Sequence, residues 1–369
     1  MMSLVPKSDF IGVEDVAHLC TGGESPFLKS NADALLRFAL EKGRGMPGRA
    51  NLYAVYRRAK ERAAELLGCE AGDVAFLSNA SEGINALALA VDWRPGDNVV
   101  VEDIEYPSDV YPWARRGVEV RTVPTRHWDV SLDDLADAID ARTRVLAISH
   151  VSYLTGRRYG LEELSALARR SGALLSVDVS HSLGAVPVFA PLCDFVFSAC
   201  YKWQLATHGV GICYWNRSRW PNLQPAQVGW HSVTGRHGPG DRAGYELRAD
   251  AGRLEIGNPS FVSLYVLDNA LGYLLNVGVD RIERHVLDLG GRLRAGLVEL
   301  GFEVMTPELP ESRAGNICIA TGESARLAGG LAERGILVWE GEGRIRISVH
   351  LYNDERDVDR CLAALRELK

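Results

Sequence analysis

Residues Ser176–Tyr214 read SVDVSHSLGAVPVFAPLCDFVFSACYKWQLATHGVGICY. The apolar run Leu174, Leu175 and Val177 reads as a buried strand that ends on an acid, Asp178. A second strand follows at Asp194–Phe197 and ends at Ser198, ahead of the aromatic-flanked lysine Tyr201–Lys202–Trp203. A Gly-bearing turn, His208–Gly211, leads to a third strand at Ile212–Trp215. An acid at the carboxyl end of one parallel strand and a lysine just past the next open onto one crevice, where α/β sheets bind ligands.

Outward from this stretch, β and α segments alternate. Strands are expected at Val74–Leu77, Asn98–Val101, Glu119–Val123 and Val145–Ser149. Between them come helices at Ser81–Val91, Tyr111–Arg116, Leu132–Ile139 and Leu161–Ser171, with an earlier one at Leu52–Leu67 stopped by Gly68. Such alternation predicts an α/β fold with a mostly parallel sheet covered on both faces. Residues Asn216–Gly257 lose periodicity and read as a long loop with functional content. Helices at Phe261–Asn276 and Arg281–Leu300 then lead into a smaller α+β unit. Its pieces are strand Asn316–Ala320, helix Ser324–Arg334, strand Arg344–Ser348 and helix Asp354–Leu368. The expected organisation is an N-terminal arm over 1–45, a large lobe over 46–260 and a small lobe over 261–369 that opens with a long connecting helix.

Composition narrows the function. A net charge of −7 argues against a nucleic-acid surface, and the basic loop Lys42–Arg49 is too short to outweigh it. Seven cysteines are scattered without a C-x-x-C pair, so neither a metal site nor a disulfide framework is expected. The N-terminus MMSLVPKSDF has no apolar core of a signal peptide, and no run approaches a membrane span. A soluble, cytoplasmic protein is expected.

The order Asp–x–x–His, a strand, then Ser–x–x–Tyr–Lys resembles the class V aminotransferases. These are pyridoxal-phosphate (PLP) enzymes of fold type I, the aspartate aminotransferase-like fold. They include cysteine desulfurases, kynureninases and isopenicillin N epimerases. The resemblance covers nearly the whole chain. It implies that Lys202 is the Schiff-base lysine and that Asp178 holds the pyridine nitrogen protonated, making the ring an electron sink. Outside that context, Lys202 would read as a surface lysine with a snorkelling stem, and Asp178 as a turn former. His181 matches a position near the cofactor's 3-oxygen; its plainer reading is a satisfied, half-buried histidine.

Phe76–Asn85 (FLSNASEGIN) resembles the family's phosphate cradle, with Ala80 and Ser81 where a helix begins and its N–H groups can hold a dianion. Ser198 and Tyr201 match positions that add hydroxyls to the same phosphate. Tyr106, in Glu105–Tyr106–Pro107, stands where the family stacks a ring on the cofactor. Ser152, in the turn His150–Gly156 (HVSYLTG), is placed near the 3-oxygen. Arg253–Phe261 (RLEIGNPSF) resembles a segment that crosses a dimer interface, so Asn258 would reach the phosphate of the neighbouring subunit and a homodimer would share its sites. Arg346 matches the arginine that clamps the substrate carboxylate, with Arg344 as its surface neighbour.

One departure bears on the reaction. Cysteine desulfurases carry a nucleophilic cysteine shortly before that arginine, whereas Gly335–Gly343 reads GILVWEGEG. Cys318 and Cys361 fall in a core strand and a terminal helix, as small hydrophobes. Trp339 and Glu340 occupy the gap and are expected to line the pocket; His208 receives no role. The expectation is an enzyme acting at Cα of an amino acid. It would be a transaminase or a β-eliminating C–S lyase, with epimerisation of the isopenicillin N epimerase type or a non-enzymatic use of the fold as alternatives. A persulfide-forming desulfurase is not expected.

Overall fold

The computed structural model describes residues 1–235 and 244–369. The chain opens with β1 (Ala17–His18), α1 (Lys29–Gly43) and α2 (Met46–Leu67). It continues through β2 (Val74–Leu77), α3 (Ala80–Ala90), β3 (Asn98–Glu102), α4 (Tyr111–Arg115), β4 (Glu119–Val123) and α5 (Leu132–Ala138). Next come β5 (Thr143–Ser149), α6 (Leu161–Ser171), β6 (Leu174–Asp178), β7 (Phe195–Ala199) and β8 (Gly211–Trp215). After β9 (Val233–Thr234) and β10 (Glu246–Leu247) lie α7 (Phe261–Val277) and α8 (Val279–Glu299). The last elements are β11 (Glu303–Val304), β12 (Asn316–Ala320), α9 (Ser324–Ala332), β13 (Ile336–Leu337), β14 (Trp339–Gly341), β15 (Arg344–Ser348) and α10 (Glu355–Leu368).

The seven-stranded sheet has the order β2-β8-β7-β6-β5-β3-β4. Pairing is parallel from β7 through to β4 and antiparallel at β8 and β2, so the sheet is mostly parallel. Every residue of β6 (LLSVD) and β7 (FVFSA) is buried, as a central strand covered on both faces requires. Each fully buried leucine, valine or phenylalanine there contributes about 1.5–3 kcal/mol. Asp178, Ser180 and the turn after β7 therefore emerge from a rigid floor at one edge of the sheet. A second sheet, β11-β12-β15-β14, is antiparallel and faces that edge with Asn316, Ser348 and Arg346.

Several boundaries differ from expectation. α2 starts at Met46 rather than Leu52, absorbing the end of the basic loop, because Pro47 in its first turn needs no intrahelical N–H partner. The expected long loop contains the β9–β10 pair and a 3-10 turn at Ala251–Leu254; its part at 236–243 lies outside the described residues. β1, β13 and β14 were not foreseen, since two or three residues carry no periodicity to read. β1 pairs in parallel with β13, tying the start of the chain to the second sheet. No single described helix is long and apolar enough to cross a membrane.

Candidate active site

The turn after β7 is pinned from both sides. Trp203 is fully buried; its ring packs 5.3 Å from that of His350, whose Nε2 lies 3.1 Å from the Trp203 carbonyl. The Gln204 amide donates to the Leu183 carbonyl at 2.5 Å and to Ser198 Oγ at 3.0 Å. Lys202 between them is left to face the crevice. Its Nζ lies 3.1 Å from His181 Nε2, and 5.7 and 5.6 Å from the ring centres of Tyr106 and Tyr201. Burial pushes the amine down to about 8, with Asp178 opposing the shift and Arg346 adding to it. An amine so depressed is nucleophilic near neutral pH.

Asp178 ends β6 and accepts the Ser180 N–H at 2.6 Å. Behind it stands a column of acids that sequence reading did not assemble. Asp109 is fully buried, and among the described residues neither of its carboxyl oxygens has a hydrogen-bond partner; burial, then the charges of Asp178 and Glu105, hold its carboxyl well above the usual range. Glu105, pushed up to about 6 mainly by burial, accepts from Ser149 N at 2.7 Å and Ser149 Oγ at 2.5 Å. Glu102, raised to about 8 by burial and then by Glu105, takes the Tyr159 hydroxyl. No basic side chain is hydrogen-bonded to Asp178 or Asp109 among the described residues. A cationic ring nitrogen would supply the missing positive charge. His181, held well below its usual range first by burial and then by Lys202, is neutral and takes its second contact from Asn316 Nδ2 at 3.0 Å.

At the other end of the crevice, α3 begins where Asn79 Oδ1 accepts the Glu82 N–H at 2.9 Å. Ser81 Oγ lies 2.7 Å from Ser108 Oγ, a residue with no local signal to mark it. A Cβ on Gly211 would lie 2.6 Å from the Asn79 backbone, so β8 must be glycine for the helix start to sit this close. Ala80 and Ser81 thus offer a dianion site. Ser198 does not join them. Phe197 packs against Gly83 of α3, so alternation along β7 turns Ser198 to the opposite face, where its hydroxyl serves Gln204. Tyr201 is half-buried and stacks on His208 at 4.0 Å and 18°. Ser152 is buried and its Oγ accepts from Leu154 N and Thr155 N at 3.2 and 3.3 Å, which shapes its own turn. Asn258 is exposed, accepting from Arg49 at 2.9 Å and from Tyr53 at 3.2 Å. It borders a cavity of about 360 Å³ with Ser78, Glu82 and Gly209.

Arg346 closes the site from the second sheet. It is 3% exposed, donates to the Tyr153 carbonyl at 2.8 Å and lies 4.7 Å from the Trp339 ring. Arg344 is not the surface residue expected: it is 1% exposed, paired with Glu342 and packed 4.5 Å from Trp339 and 5.1 Å from Tyr153. Two residues apart on a strand, both arginines share one face, and the aromatics from other elements cover both. Glu340 is exposed and bonds Ser324 instead of lining the crevice. Among the described residues no cluster of His, Cys, Asp or Glu could hold a metal.

A buried amine, an acid lacking a cationic partner and a helix-start anion site together fit a phosphorylated aldehyde carrying a basic ring nitrogen. The family model for aminotransferase class V matches residues 30–361. The chain belongs to the class V aminotransferases. This is a family of PLP-dependent enzymes of fold type I, and the donor set fits that cofactor. A probable cysteine desulfurase of Methanothermobacter thermautotrophicus is 27% identical over 85% of this chain and 83% of its own length. A cysteine desulfurase of Salmonella gallinarum is 29% identical over 81% and 78%. Among solved structures, the cysteine desulfurase of Thermococcus onnurineus superposes with a TM-score of 0.89 at 24% identity, over 100% of this chain and 99% of the other. The cystine C–S lyase C-DES, in complex with its product cysteine persulfide, gives 0.88 at 21%, over 97% and 99%. These relatives overturn the expectation that excluded a persulfide-forming desulfurase. No thiol stands next to Arg346 in sequence, but the fold brings Cys20 near it.

Proposed function

We propose that this class V aminotransferase removes sulfur from cysteine, with Lys202, Asp178, His181 and Arg346 as its working residues. The observation that carries the reading is the Lys202 Nζ–His181 Nε2 contact of 3.1 Å in the crevice that Arg346 closes. PLP, when bound, supplies an electron sink for bonds at Cα and Cβ of the amino acid. Lys202 would hold the cofactor, and its amine is placed to move a proton at the substrate Cα. Asp178 keeps the ring nitrogen cationic, and protonated Asp109 behind it spares the site a second negative charge. His181 stays neutral beside the amine. Arg346 takes the substrate carboxylate in two parallel bonds and so fixes which bond at Cα stands ready. Ala80 and Ser81, with the α3 dipole, would hold the phosphate, and Tyr106 would offer its face to the ring.

The reading includes a homodimer in which the Arg253–Phe261 segment faces the neighbouring subunit. The exposure of Asn258 at the cavity beside Ser78 and Gly209 supports it. Incubating the PLP-loaded protein with L-cysteine tests the proposal: alanine should form with an equal amount of sulfane sulfur. Keto acid without loss of sulfur, or no reaction with cysteine, would defeat it.

A further inference from the structure

Cys20 follows β1 and forms a parallel bridge with Ser348 of β15. Facing residues of paired strands turn their side chains to the same side, and residues two apart on a strand share that side. Cys20, Ser348 and Arg346 therefore share one face, with Asn316 and Cys318 opposite them on β12 and Trp339 on β14. This is the face that meets His181. Beyond Cys20 the chain turns through Gly22 and Gly23 and reaches Ser25, whose hydroxyl donates to the Tyr201 carbonyl at 2.9 Å. The segment crosses the crevice from the arginine to the lysine-bearing turn.

A second observation converges on the same turn. Arg346 is 3% exposed and its Nε has no hydrogen-bond partner among the described residues. A Cβ on Gly22 would lie 3.1 Å from that nitrogen. A Cβ on Gly23 would lie 3.2 Å from Cys20 Sγ and 3.0 Å from Trp339 Cδ1. Guanidinium, indole and sulfur thus surround two glycines. The other six thiols are worse placed: Cys318 is fully buried and pushed up to about 11 by burial, Cys193, Cys200, Cys213 and Cys361 are buried, and Cys69 follows α2. Cys20 is half-buried. The Cys20 thiol is also raised, chiefly by burial and further by the Glu24 charge, while the N–H groups of Glu24 and Gly23 and the Arg346 charge oppose that shift.

We propose that Cys20 is the thiol that takes sulfur from the substrate, an inference that rests on the desulfurase reading above. The Cys20 thiolate attacks the substrate sulfur. The new S–S bond forms as the Cβ–S bond breaks, and the bonding pair passes to Cβ, which takes up a proton. The sum is L-cysteine plus the Cys20 thiol giving L-alanine plus the Cys20 persulfide. The two sulfurs are oxidised and Cβ is reduced, so no outside oxidant is needed. Reach comes from the N-terminal segment, since Gly335–Gly343, GILVWEGEG, carries no cysteine.

The PLP-loaded protein is mixed with L-cysteine, alkylated without reductant and digested for mass spectrometry. The expected result is one added sulfur on the Cys20 peptide, matched by alanine. Cys20→Ser and Cys20→Ala should keep the cofactor absorbance and circular dichroism of the parent and lose alanine formation at least 100-fold, whereas Cys69→Ser should be unchanged. Alanine formation within threefold of wild type in Cys20→Ser, or the persulfide on another cysteine, would overturn the role of Cys20 and leave the desulfurase reading standing. Pyruvate and ammonia in place of alanine, or no C–S cleavage at all, would remove both. The wild-type mass spectrum decides the matter even if a variant fails to fold.

Discussion

Asn316 Nδ2 donates to His181 Nδ1 at 3.0 Å, and this bond decides what His181 offers Lys202. The other end of the amide, Oδ1, accepts from Ser348 Oγ at 2.8 Å. With Nδ1 used as acceptor and the ring neutral, Nε2 carries the hydrogen and can donate it to the Lys202 amine once that amine is in its neutral form. Replacing Asn316 by Asp reverses the bond and hence the tautomer. We expect Asn316→Asp to lower kcat about 10- to 100-fold, the usual span for a misoriented acid or base. PLP affinity, read by absorbance titration, should change less than threefold. Unchanged turnover would show that the His181 tautomer is immaterial.

The depressed Lys202 amine has a stability signature that needs no catalysis. Its folded value of about 8 lies below the ordinary 10.5, so the folded chain binds fewer protons between those limits. The buried amine therefore costs stability below pH 8, and the cost fades as pH rises to 10.5. The cofactor-free Lys202→Met chain should be more stable than the parent at pH 7 by about 3 kcal/mol at most. Denaturant melts at a series of pH values should show the gap closing by pH 10.5.

Asp109 gives the opposite slope. Its carboxyl is raised, so the folded chain holds a proton that the unfolded chain has lost, and stability falls as pH climbs through the carboxylate range. Asp109→Asn keeps a donor toward Asp178 and has no charge to lose. It should raise the melting temperature of the cofactor-free chain at pH 7 and lose that advantage near pH 4. Asp109→Leu, which can offer Asp178 no donor, should bind PLP at least 10-fold more weakly.

Gly22 tests how tightly the N-terminal segment lies over the arginine. A Cβ there would lie 2.6 Å from Asn316 Oδ1, 2.8 Å from Ser348 Oγ and 3.1 Å from Arg346 Nε. Gly22→Ala should raise KM for the amino acid at least 10-fold while PLP still binds, because the crowded atoms belong to the substrate end. Arg346→Ala should cost kcat/KM about 100-fold or more, the loss expected when a buried charge-assisted pair is removed.

The positions of Asp178, at the end of β6, and Lys202, just past β7, were legible because each follows an apolar strand, where position along the strand reveals position at the crevice. The helix start at Ala80 was legible for a similar reason, from its visible cap Asn79. Ser198 was misjudged by one step of strand alternation, which the contact between Phe197 and Gly83 makes plain. Arg344 was taken for a surface residue because its cover, Trp339 and Tyr153, comes from other elements. Asp109, Ser108 and Cys20 carry no local pattern. Their meaning arises from tertiary contacts with Asp178, Ser81 and Ser348, which no window of sequence contains.

The pairing of Ala17–His18 with Ile336–Leu337 also bears on how the pocket is assembled. Contacts between residues so far apart along the chain carry the largest loop-closure cost and raise the contact order, which slows folding. The parallel strands that bear Asp178 and Lys202 can be synthesised and paired while the partner of β1 is still unmade. A chain interrupted before β13 would thus present an amine and its acid with no wall over them. Completion of the reactive cavity is coupled to completion of the polypeptide.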